Sequence, residues 1–208
     1  HYLSNIIADG DESIIRNMWE SYSINHNPFL SIETVLENDY QTNFQKTWSD
    51  FCSRNFFNGQ YQDMNNNIYY HIDQRDILPL ASYSVSLSNP QLINENLLIS
   101  DLMLTNQSSD HLAFRVDDFS KINLEHNPSN LFEGFISIIS EEGSNLNQHI
   151  YIDENVQDIY LGLGDKFFLS YSQSNNGFLN INIDYSTNFT IAHGNINLDE
   201  YINILDVV

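Results

Sequence analysis

The spacing of the apolar residues changes near residue 80, and this change limits the chain to an α+β architecture. Before that point apolar residues recur every third or fourth position, as on one face of a helix. From Leu80 onward they alternate with polar residues, as on a half-buried strand. Helices followed by strands, without strand–helix alternation, predict an N-terminal helical segment and then an antiparallel β-sandwich.

Three helices fit residues 1–60. The first follows Asp11 as its cap, the second runs from Pro28 to Glu37, and the third from Asn43 to Phe57. Each has an apolar face that we expect to point inward: Ile14, Ile15, Met18, Trp19 and Tyr22 in the first, Ile32, Val35 and Leu36 in the second, and Phe44, Trp48, Phe51, Cys52 and Phe56 in the third.

Nine strands are predicted after residue 80, separated by turns rich in Asn, Ser and Gly. They are Ser82–Leu87, Leu97–Leu104, His111–Val116, Phe132–Ile139, His149–Ile152, Ile159–Leu163, Lys166–Ser172, Phe178–Ile183 and Phe189–Ala192. The segments Gly162–Asp165 and Ser174–Gly177 are the strongest candidates for hairpin turns.

These patterns divide the chain into four parts. Residues 1–60 are helical, 61–79 form a linker or docking loop, 80–192 form the sandwich, and 193–208 carry a candidate metal loop. We expect residues 80–192 to fold alone and a protease to cut first within 61–79, where polar residues dominate without a period.

The charge balance excludes several classes of partner. The chain has 7 basic and 28 acidic residues in 208, a formal net charge of −21. Nucleic acids and anionic membranes would be repelled, so an extracellular, cation-rich setting fits best, with a halophilic cytosolic protein as the alternative. The one cysteine, Cys52, excludes an intrachain disulfide and is predicted to be buried and inert. No apolar run reaches the length of about 18 residues that a membrane span requires.

Catalytic motifs are absent from the sequence. It contains no His-Glu-x-x-His zinc motif, no Gly-x-Ser-x-Gly elbow and no phosphate loop. The seven histidines are scattered singly, so surface or interfacial positions are predicted for them rather than metal ligation. Tyr69, Tyr70, His71 and Asp73 form a small cluster that indicates either a site or, more simply, a loop docking on the sandwich.

The C-terminal end has the ligand spacing of a twelve-residue calcium loop. Positions 1, 3, 5, 9 and 12 carry side-chain oxygens, and position 7 offers a backbone carbonyl. The residues are Asn195, Asn197, Asp199, Asn203 and Asp206, with Tyr201 at position 7. Because Asn and Asp are abundant throughout the chain, a plain polar turn is the alternative.

This segment resembles the first half of a type I dockerin repeat, which runs Gly-Asp-x-Asn-x-Asp-Gly-x-x-Asn-x-x-Asp. Two departures should weaken calcium binding: Asn195 removes a charge at position 1, and Glu200 replaces the glycine of the sharp turn. A dockerin also needs a following helix and a second repeat, so truncation after Val208 is expected. The resemblance implies weak calcium binding and an attachment partner.

Residues 11–59 resemble the segment that follows the zinc site in a family of secreted bacterial metallopeptidases. The matching residues are Trp19-Glu20, where Met18 stands in place of the family's Ile, then Ser31-Ile32 with Leu36, then Trp48 with Phe51, and finally Asn55 with Gly59. The family continues with a β-rich region and often a sorting module. Its zinc motif would lie upstream of His1, so no catalytic residue is carried over and this chain alone should be inactive.

We therefore interpret the chain as a non-catalytic part of a secreted metallopeptidase-like protein. Its helices would support an upstream zinc domain, the only place where zinc is implied, while the sandwich and the calcium loop would serve in binding and attachment. The alternative is a non-enzymatic surface protein whose β-sandwich binds carbohydrate or protein.

Overall fold

The computed structural model describes residues 2–55, 90–105, 108–126, 132–139, 148–152, 158–173 and 176–187. Three helices precede two β-sheets, and most strand pairs are antiparallel, so the predicted α+β fold is confirmed. The predicted strands Ser82–Leu87 and Phe189–Ala192 and the predicted linker lie outside the described residues.

The helices begin and end close to their predicted bounds. A π-helical turn at Leu3–Ile7 precedes α1 (Ser13–Asn25), α2 (Pro28–Tyr40) and α3 (Phe44–Asn55). Asp11 Oδ1 accepts from the Ser13 amide at 2.8 Å, and Asn27 Oδ1 accepts from the Leu30 amide at 3.2 Å. These side chains satisfy amides that have no partner within their helices.

The strands form a five-stranded and a four-stranded sheet. The strands are β1 (Gln91–Leu92), β2 (Leu97–Leu104), β3 (Ser109–Arg115), β4 (Ser120–His126), β5 (Phe132–Ile139), β6 (Gln148–Ile152), β7 (Ile159–Leu161), β8 (Lys166–Gln173) and β9 (Gly177–Ser186). The five-stranded sheet has the order β1-β3-β8-β5-β6, and the four-stranded sheet has the order β2-β9-β4-β7. The short β1 runs parallel to β3.

The main core lies between the two sheets, where every second residue of each strand points inward. In β9 these are Leu179, Ile181 and Ile183, all fully buried. Tyr171 lies directly opposite Gly134, and a Cβ at Gly134 would lie 2.6 Å from the Tyr171 ring. Residue 134 is therefore a glycine because the ring occupies the space of a side chain.

Both predicted hairpin turns are wrong. The segment Gly162–Asp165 joins β7 to β8, and 174–176 join β8 to β9, but in each case the two strands belong to different sheets. The first turn is fixed by Asp165, whose Oδ2 accepts from the Gly162 amide at 2.7 Å, and by Gly164 at φ +79°. Turn residues of this kind suit a crossing between sheets as well as a hairpin, because both need a sharp reversal.

Two strands, β1 and β4, were not predicted. In β4, Ile122 and Leu124 are buried while Lys121 and Glu125 face outward. The alternation is regular and typical of a half-buried strand, so the sequence pattern does contain the signal that was missed.

The outer face of the five-stranded sheet is covered by α3. Strand β8 is consequently buried on both faces, with Phe167 and Leu169 in the inter-sheet core and Phe168 and Ser170 on the opposite side. Ser49 Oγ of α3 donates to the Glu133 carbonyl oxygen of β5 at 3.0 Å. The described part of the molecule thus has three layers: helix, sheet and sheet.

The inward face of α3 differs from the predicted one. Cys52 is buried as expected, and burial raises the pKa of its thiol to about 11, but the other deeply buried residues are polar: Thr47, Ser49, Asp50 and Ser53. Phe44, Trp48 and Phe51 are half-buried and pack beside one another along the helix. Small side chains such as Ser49 and Ser53 allow the helix to approach the sheet closely.

Candidate functional site

The helices α1 and α2 form a small lobe with a core of its own. Ile14 and Met18 of α1 pack with Val35 and Leu36 of α2, and these four residues are buried. They follow the spacing that places side chains on one helical face. Within the described residues, the lobe reaches the sandwich mainly through α3.

The predicted inward face of α1 is buried only in part, which corrects the sequence interpretation. Ile15, Trp19 and Tyr22 were expected to point inward, yet they are 42%, 67% and 36% exposed. They follow a second stripe on α1, beside the buried one, that α2 does not cover. Further exposed apolar side chains lie at the end of α1, with Ile24, and at the start of α2, with Phe29 and Leu30.

A groove of about 400 Å³ lies between the two helices within this exposed surface. Trp19 and Tyr22 contact each other edge-to-face, with ring centroids 6.0 Å apart. The groove is lined by Ile15, Met18, Trp19, Tyr22, Pro28, Ser31 and Ile32. A nearly apolar groove of this size can accept apolar side chains of another helix or domain. We call the groove with these seven lining residues the helical groove.

A buried polar network joins α3 to the five-stranded sheet. Asp50 of α3 contacts His149 of β6, with Oδ1 and Nε2 2.7 Å apart. The other ring nitrogen, Nδ1, lies 2.9 Å from Ser137 Oγ of β5. Arg54 Nε donates to both carboxylate oxygens of Asp50 at 3.0 and 2.8 Å, and the Tyr2 hydroxyl donates to Oδ2 at 2.5 Å.

The charges in this network follow from its surroundings. Burial alone would raise the pKa of Asp50, but the hydrogen bond with His149 and the charge of Arg54 outweigh it and lower that pKa. Burial lowers the pKa of His149, and the Arg54 charge adds to this effect. At neutral pH the network therefore contains a carboxylate, a guanidinium and a neutral imidazole.

The chain of Ser137, His149 and Asp50 has the composition of a hydrolase triad, but it cannot act as one. A nucleophilic serine must reach a substrate carbonyl, whereas Ser137 is completely buried and the His149 side chain is 8% exposed. The His149 ring also stacks on Phe135, with centroids 4.8 Å apart and planes 7° apart. The network fixes the position of α3 and leaves no room for a substrate.

The structure does not test the predicted calcium ligands. Asn195, Asn197, Asp199, Tyr201, Asn203 and Asp206 all lie outside the described residues, as does the cluster of Tyr69, Tyr70, His71 and Asp73. Among the residues that are described, no group of three or more His, Cys, Asp and Glu side chains is placed to hold a metal ion. None of the described helices is long and apolar enough to cross a membrane.

The sequence interpretation missed the network under α3. Two features point to it in retrospect: Asp50 and Arg54 stand four residues apart, and Ser49 and Ser53 form a narrow polar stripe on the same helix. His149 was placed at a surface or an interface, and the structure places it at the interface between helix and sheet. The helical groove was missed because the exposed stripe of α1 is as apolar as the buried one.

Comparison with known proteins gives structural likeness only. No family model and no curated protein matches the chain. Among solved structures, a mutant of a periplasmic inhibitor of g-type lysozyme from Escherichia coli has a TM-score of 0.35 and 10% identity, over 47% of this chain and 97% of that one. The corresponding Salmonella Typhimurium inhibitor has a TM-score of 0.33 and 11% identity, over 47% and 100%. The pre-peptidase C-terminal domain of a Bacillus anthracis collagenase has a TM-score of 0.33 and 15% identity, over 47% and 95%. Likeness at this level carries no argument about function.

Proposed function

We propose that this chain is a non-catalytic accessory part of a secreted metallopeptidase-like protein, and that its helical groove docks on the catalytic part of that protein. The observation that carries the proposal is the exposed apolar surface of α1 and α2. Trp19 is 67% exposed, Phe29 55% and Leu30 51%, on a lobe whose own buried core is small. A surface of this kind marks an interaction site.

The nature of the docked partner comes from the sequence resemblance. The residues that match the metallopeptidase family include Trp19 and Ile32, and both line the groove. In that family this segment follows the zinc domain, so the zinc domain is the partner that we propose. Burying one large apolar side chain contributes roughly 1.5 to 3 kcal/mol, so a few residues here suffice for stable docking.

The α2–α3 junction connects the lobe to the sandwich. Glu33 of α2 accepts from the Phe44 amide at 2.5 Å, and Phe29 contacts Phe44 edge-to-face, with centroids 5.7 Å apart. The Asp50–His149 contact then ties α3 to the sheet. In the proposed function, the sandwich is an accessory module held against the catalytic part through α3.

We also propose a weak calcium site at Asn195, Asn197, Asp199, Tyr201, Asn203 and Asp206. Only Asp199 and Asp206 bring charge, so we expect a dissociation constant of about 0.1 to 1 mM, as in extracellular modules. Calorimetry on a chain extended through its natural downstream sequence measures it. Asp206→Ala should abolish binding, because position 12 gives the bidentate carboxylate. Unchanged binding in that variant, or none at several millimolar calcium, identifies the loop as a polar turn.

The docking proposal is tested with the upstream part of the same open reading frame. That part should encode a His-Glu-x-x-His motif, and as a separate protein it should bind this chain in a calorimetric titration. Trp19→Ala should weaken the affinity at least about tenfold, as expected for a central aromatic anchor. Leu163→Ala is the matched control, because Leu163 is 48% exposed in the β7–β8 turn and does not line the groove.

Two results contradict the docking proposal. One is an upstream reading frame without a zinc motif or without measurable affinity for this chain. The other is equal loss of affinity in Trp19→Ala and Leu163→Ala, which would show that the groove has no particular role.

A further inference from the structure

Two buried histidines lie on the sheet face that α3 covers. His111 of β3 is 2% exposed, and the His149 side chain of β6 is 8% exposed. Residues directly opposite each other on paired strands point to the same face, so the register places these rings on one face with Ser170 of β8 and Ser137 of β5. Strands β8 and β5 separate the two histidines, which therefore form two sites beneath one helix.

Each histidine lies beside a contact that holds α3 on the sheet. Asp50 of α3 meets His149 directly, with Oδ1 and Nε2 2.7 Å apart. Cys52 of α3 forms a side-chain hydrogen bond with Ser109 of β3, and His111 follows two residues later on the same face. A change of charge at either ring therefore acts on the contact between helix and sheet.

The groups that face His149 already balance one another in charge. The Asp50 carboxylate accepts from Arg54 Nε at 3.0 and 2.8 Å, so its negative charge is paired with the guanidinium. The Tyr2 hydroxyl also donates to this carboxylate, and it keeps its proton because burial and the Asp50 charge raise the pKa of Tyr2. An imidazolium at position 149 would add an uncompensated positive charge to a buried site.

His111 likewise lies among groups that do not neutralise a positive charge. Its Nδ1 is 2.8 Å from Ser170 Oγ, a neutral partner. Asp110 points to the opposite face of β3 and accepts from the His111 backbone amide at 2.8 Å. Arg115 and Lys166, opposite each other at the end of β3 and β8, share the face of His111 and are basic. Burial therefore dominates at this ring and lowers the pKa of His111 to about 4.

One further group of charged side chains lies at the edge of the helix contact. Glu133 of β5 accepts from the Tyr151 hydroxyl of β6, and Lys46 Nζ of α3 lies 3.8 Å from the centre of the Tyr151 ring. Glu133 is four residues along β5 from Ser137, the partner of His149, which corresponds to about 13 Å. The described groups around both histidines thus oppose their protonation while α3 is in place.

We propose that mildly acid pH releases α3 from the sandwich through protonation of His111 and His149, so that this interface is a pH-sensitive switch. In the closed form both rings are buried and neutral. In the open form water reaches them, and each takes up one proton from the solvent near its ordinary pKa of about 6.5. The core between the sheets contains neither ring, so the sandwich can stay folded while α3 leaves it.

The direction of the switch follows from where protons are bound. Burial lowers the pKa of both histidines in the closed form, and at His149 the Arg54 charge adds to this. The open form therefore binds more protons, and a fall in pH below about 6.5 favours it by up to about tenfold per histidine for each pH unit. Two histidines together give up to about a hundredfold for each unit.

Cys52 reports the opening in the unmodified full chain. It is the one cysteine of the sequence and is buried under α3. The reagent 4,4′-dithiodipyridine, which also reacts in acid, forms a mixed disulfide with the thiol and releases one thiopyridone that absorbs light. The labelling rate between about pH 7.5 and pH 4.5, divided by the rate in urea at the same pH, measures the opening. We expect this ratio to be constant above pH 7 and to rise at least about tenfold from pH 6 to pH 5.

A second thiol separates release of α3 from unfolding of the whole chain. Val116→Cys in a Cys52→Ser chain places a thiol at a fully buried position of the core between the sheets. Its labelling ratio should rise far less than that of Cys52 over the same pH range. His111→Gln and His149→Gln should each reduce the pH dependence at Cys52, and the double variant should nearly remove it.

Three outcomes overturn the proposal. The first is a labelling ratio at Cys52 that does not change between pH 7.5 and pH 4.5. The second is an equal rise at Cys52 and at the thiol of Val116→Cys, which would show unfolding of the whole chain. The third is an unchanged pH dependence in the double histidine variant. The first two need no histidine variant, so they decide even where such a variant does not fold, and none depends on what docks in the helical groove.

Discussion

His149 carries its proton on Nε2, and this tautomer determines how the helix–sheet interface responds to acid. The neighbouring Asp50 is a carboxylate, which only accepts hydrogen bonds, so Nε2 must donate. Nδ1 then accepts from the Ser137 hydroxyl. Protonation of Nδ1 would turn the Ser137 hydroxyl from donor to acceptor and place a positive charge in a buried site near Arg54, so acid should destabilise this interface.

The first prediction is that stability falls as the pH drops below about 6.5, and that His149 contributes to the fall. The folded-state pKa of His149 lies below its unfolded value, so the unfolded chain binds more protons and stability decreases as pH falls. His149→Gln should lower the unfolding free energy at pH 7 but reduce its pH slope. Urea unfolding at several pH values measures both. An equal slope in His149→Gln and the parent chain would contradict the prediction.

His111 adds to the same acid sensitivity from another strand. Its Nδ1 lies 2.8 Å from Ser170 Oγ, and burial lowers its pKa to about 4. A pKa lowered this far corresponds to roughly 3 kcal/mol of stability at pH 7 that is lost as pH falls from about 6.5 to 4. His111→Gln should therefore also reduce the pH slope of the unfolding free energy, and the double variant with His149→Gln should reduce it further.

The contact between Gly134 and Tyr171 predicts different effects on stability for a substitution at each residue. Gly134→Ala places a methyl group 2.6 Å from the Tyr171 ring and should cost about 1 to 3 kcal/mol through overpacking. Tyr171→Phe should be neutral or slightly stabilising, because the buried hydroxyl has no hydrogen-bond partner among the described residues. Thermal unfolding of both variants checks this. A strongly destabilised Tyr171→Phe would show that the hydroxyl does have a partner.

At the scale of elements, the packing of α3 against the five-stranded sheet depends on one buried carboxylate. Asp50 accepts hydrogen bonds from Arg54, His149 and Tyr2, and it is the central acceptor of the contact between helix and sheet. Asp50→Ala should cost about 3 kcal/mol, because it leaves a largely buried guanidinium without its carboxylate. Adding Arg54→Met should recover part of that loss. Chemical unfolding measures both variants, and a double variant no more stable than Asp50→Ala would contradict the role assigned to Arg54.

The sequence predicted β2, β5 and β9 well, for two different reasons. Strands β2 and β5 are mostly apolar runs followed by polar residues, and they have their predicted bounds. In β9 apolar and polar residues alternate regularly from Phe178 to Asp184, because only its core-facing side is fully buried. For the same reason α2, with Val35 and Leu36 inward, was predicted correctly apart from its last turn.

The features that the sequence did not predict depend on contacts between distant parts of the chain. The local sequence pattern of α3 does not indicate that its polar face, rather than its aromatic face, packs against the sheet. Asp50 and His149 are far apart in sequence, and their pairing exists only because α3 lies across β8 and β5, next to the strand that carries His149. Likewise, the exposure of Trp19 depends on how α2 is placed against α1, which the helical period does not specify.

At the scale of the whole molecule, the described residues join a helical lobe to a β-sandwich through α3. The helical groove lies between α1 and α2, whereas the polar network lies between α3 and the five-stranded sheet. The lobe therefore keeps an exposed apolar surface while α3 covers one face of the sandwich.

The last prediction concerns the sandwich by itself. The core between the sheets lies within residues 90–187, so a chain of residues 80–192 should fold and show the circular dichroism of β-sheet. Without α3, however, the outer face of the five-stranded sheet would expose Phe135 and Phe168, which are 6% and 1% exposed in the full chain. We therefore expect a lower melting temperature than in the full chain and strong binding of a dye that reports apolar surface. If residues 80–192 melt at the same temperature as the full chain and bind no dye, α3 contributes little to the sandwich. If they do not fold at all, the helix is an essential layer and the two parts form one cooperative unit.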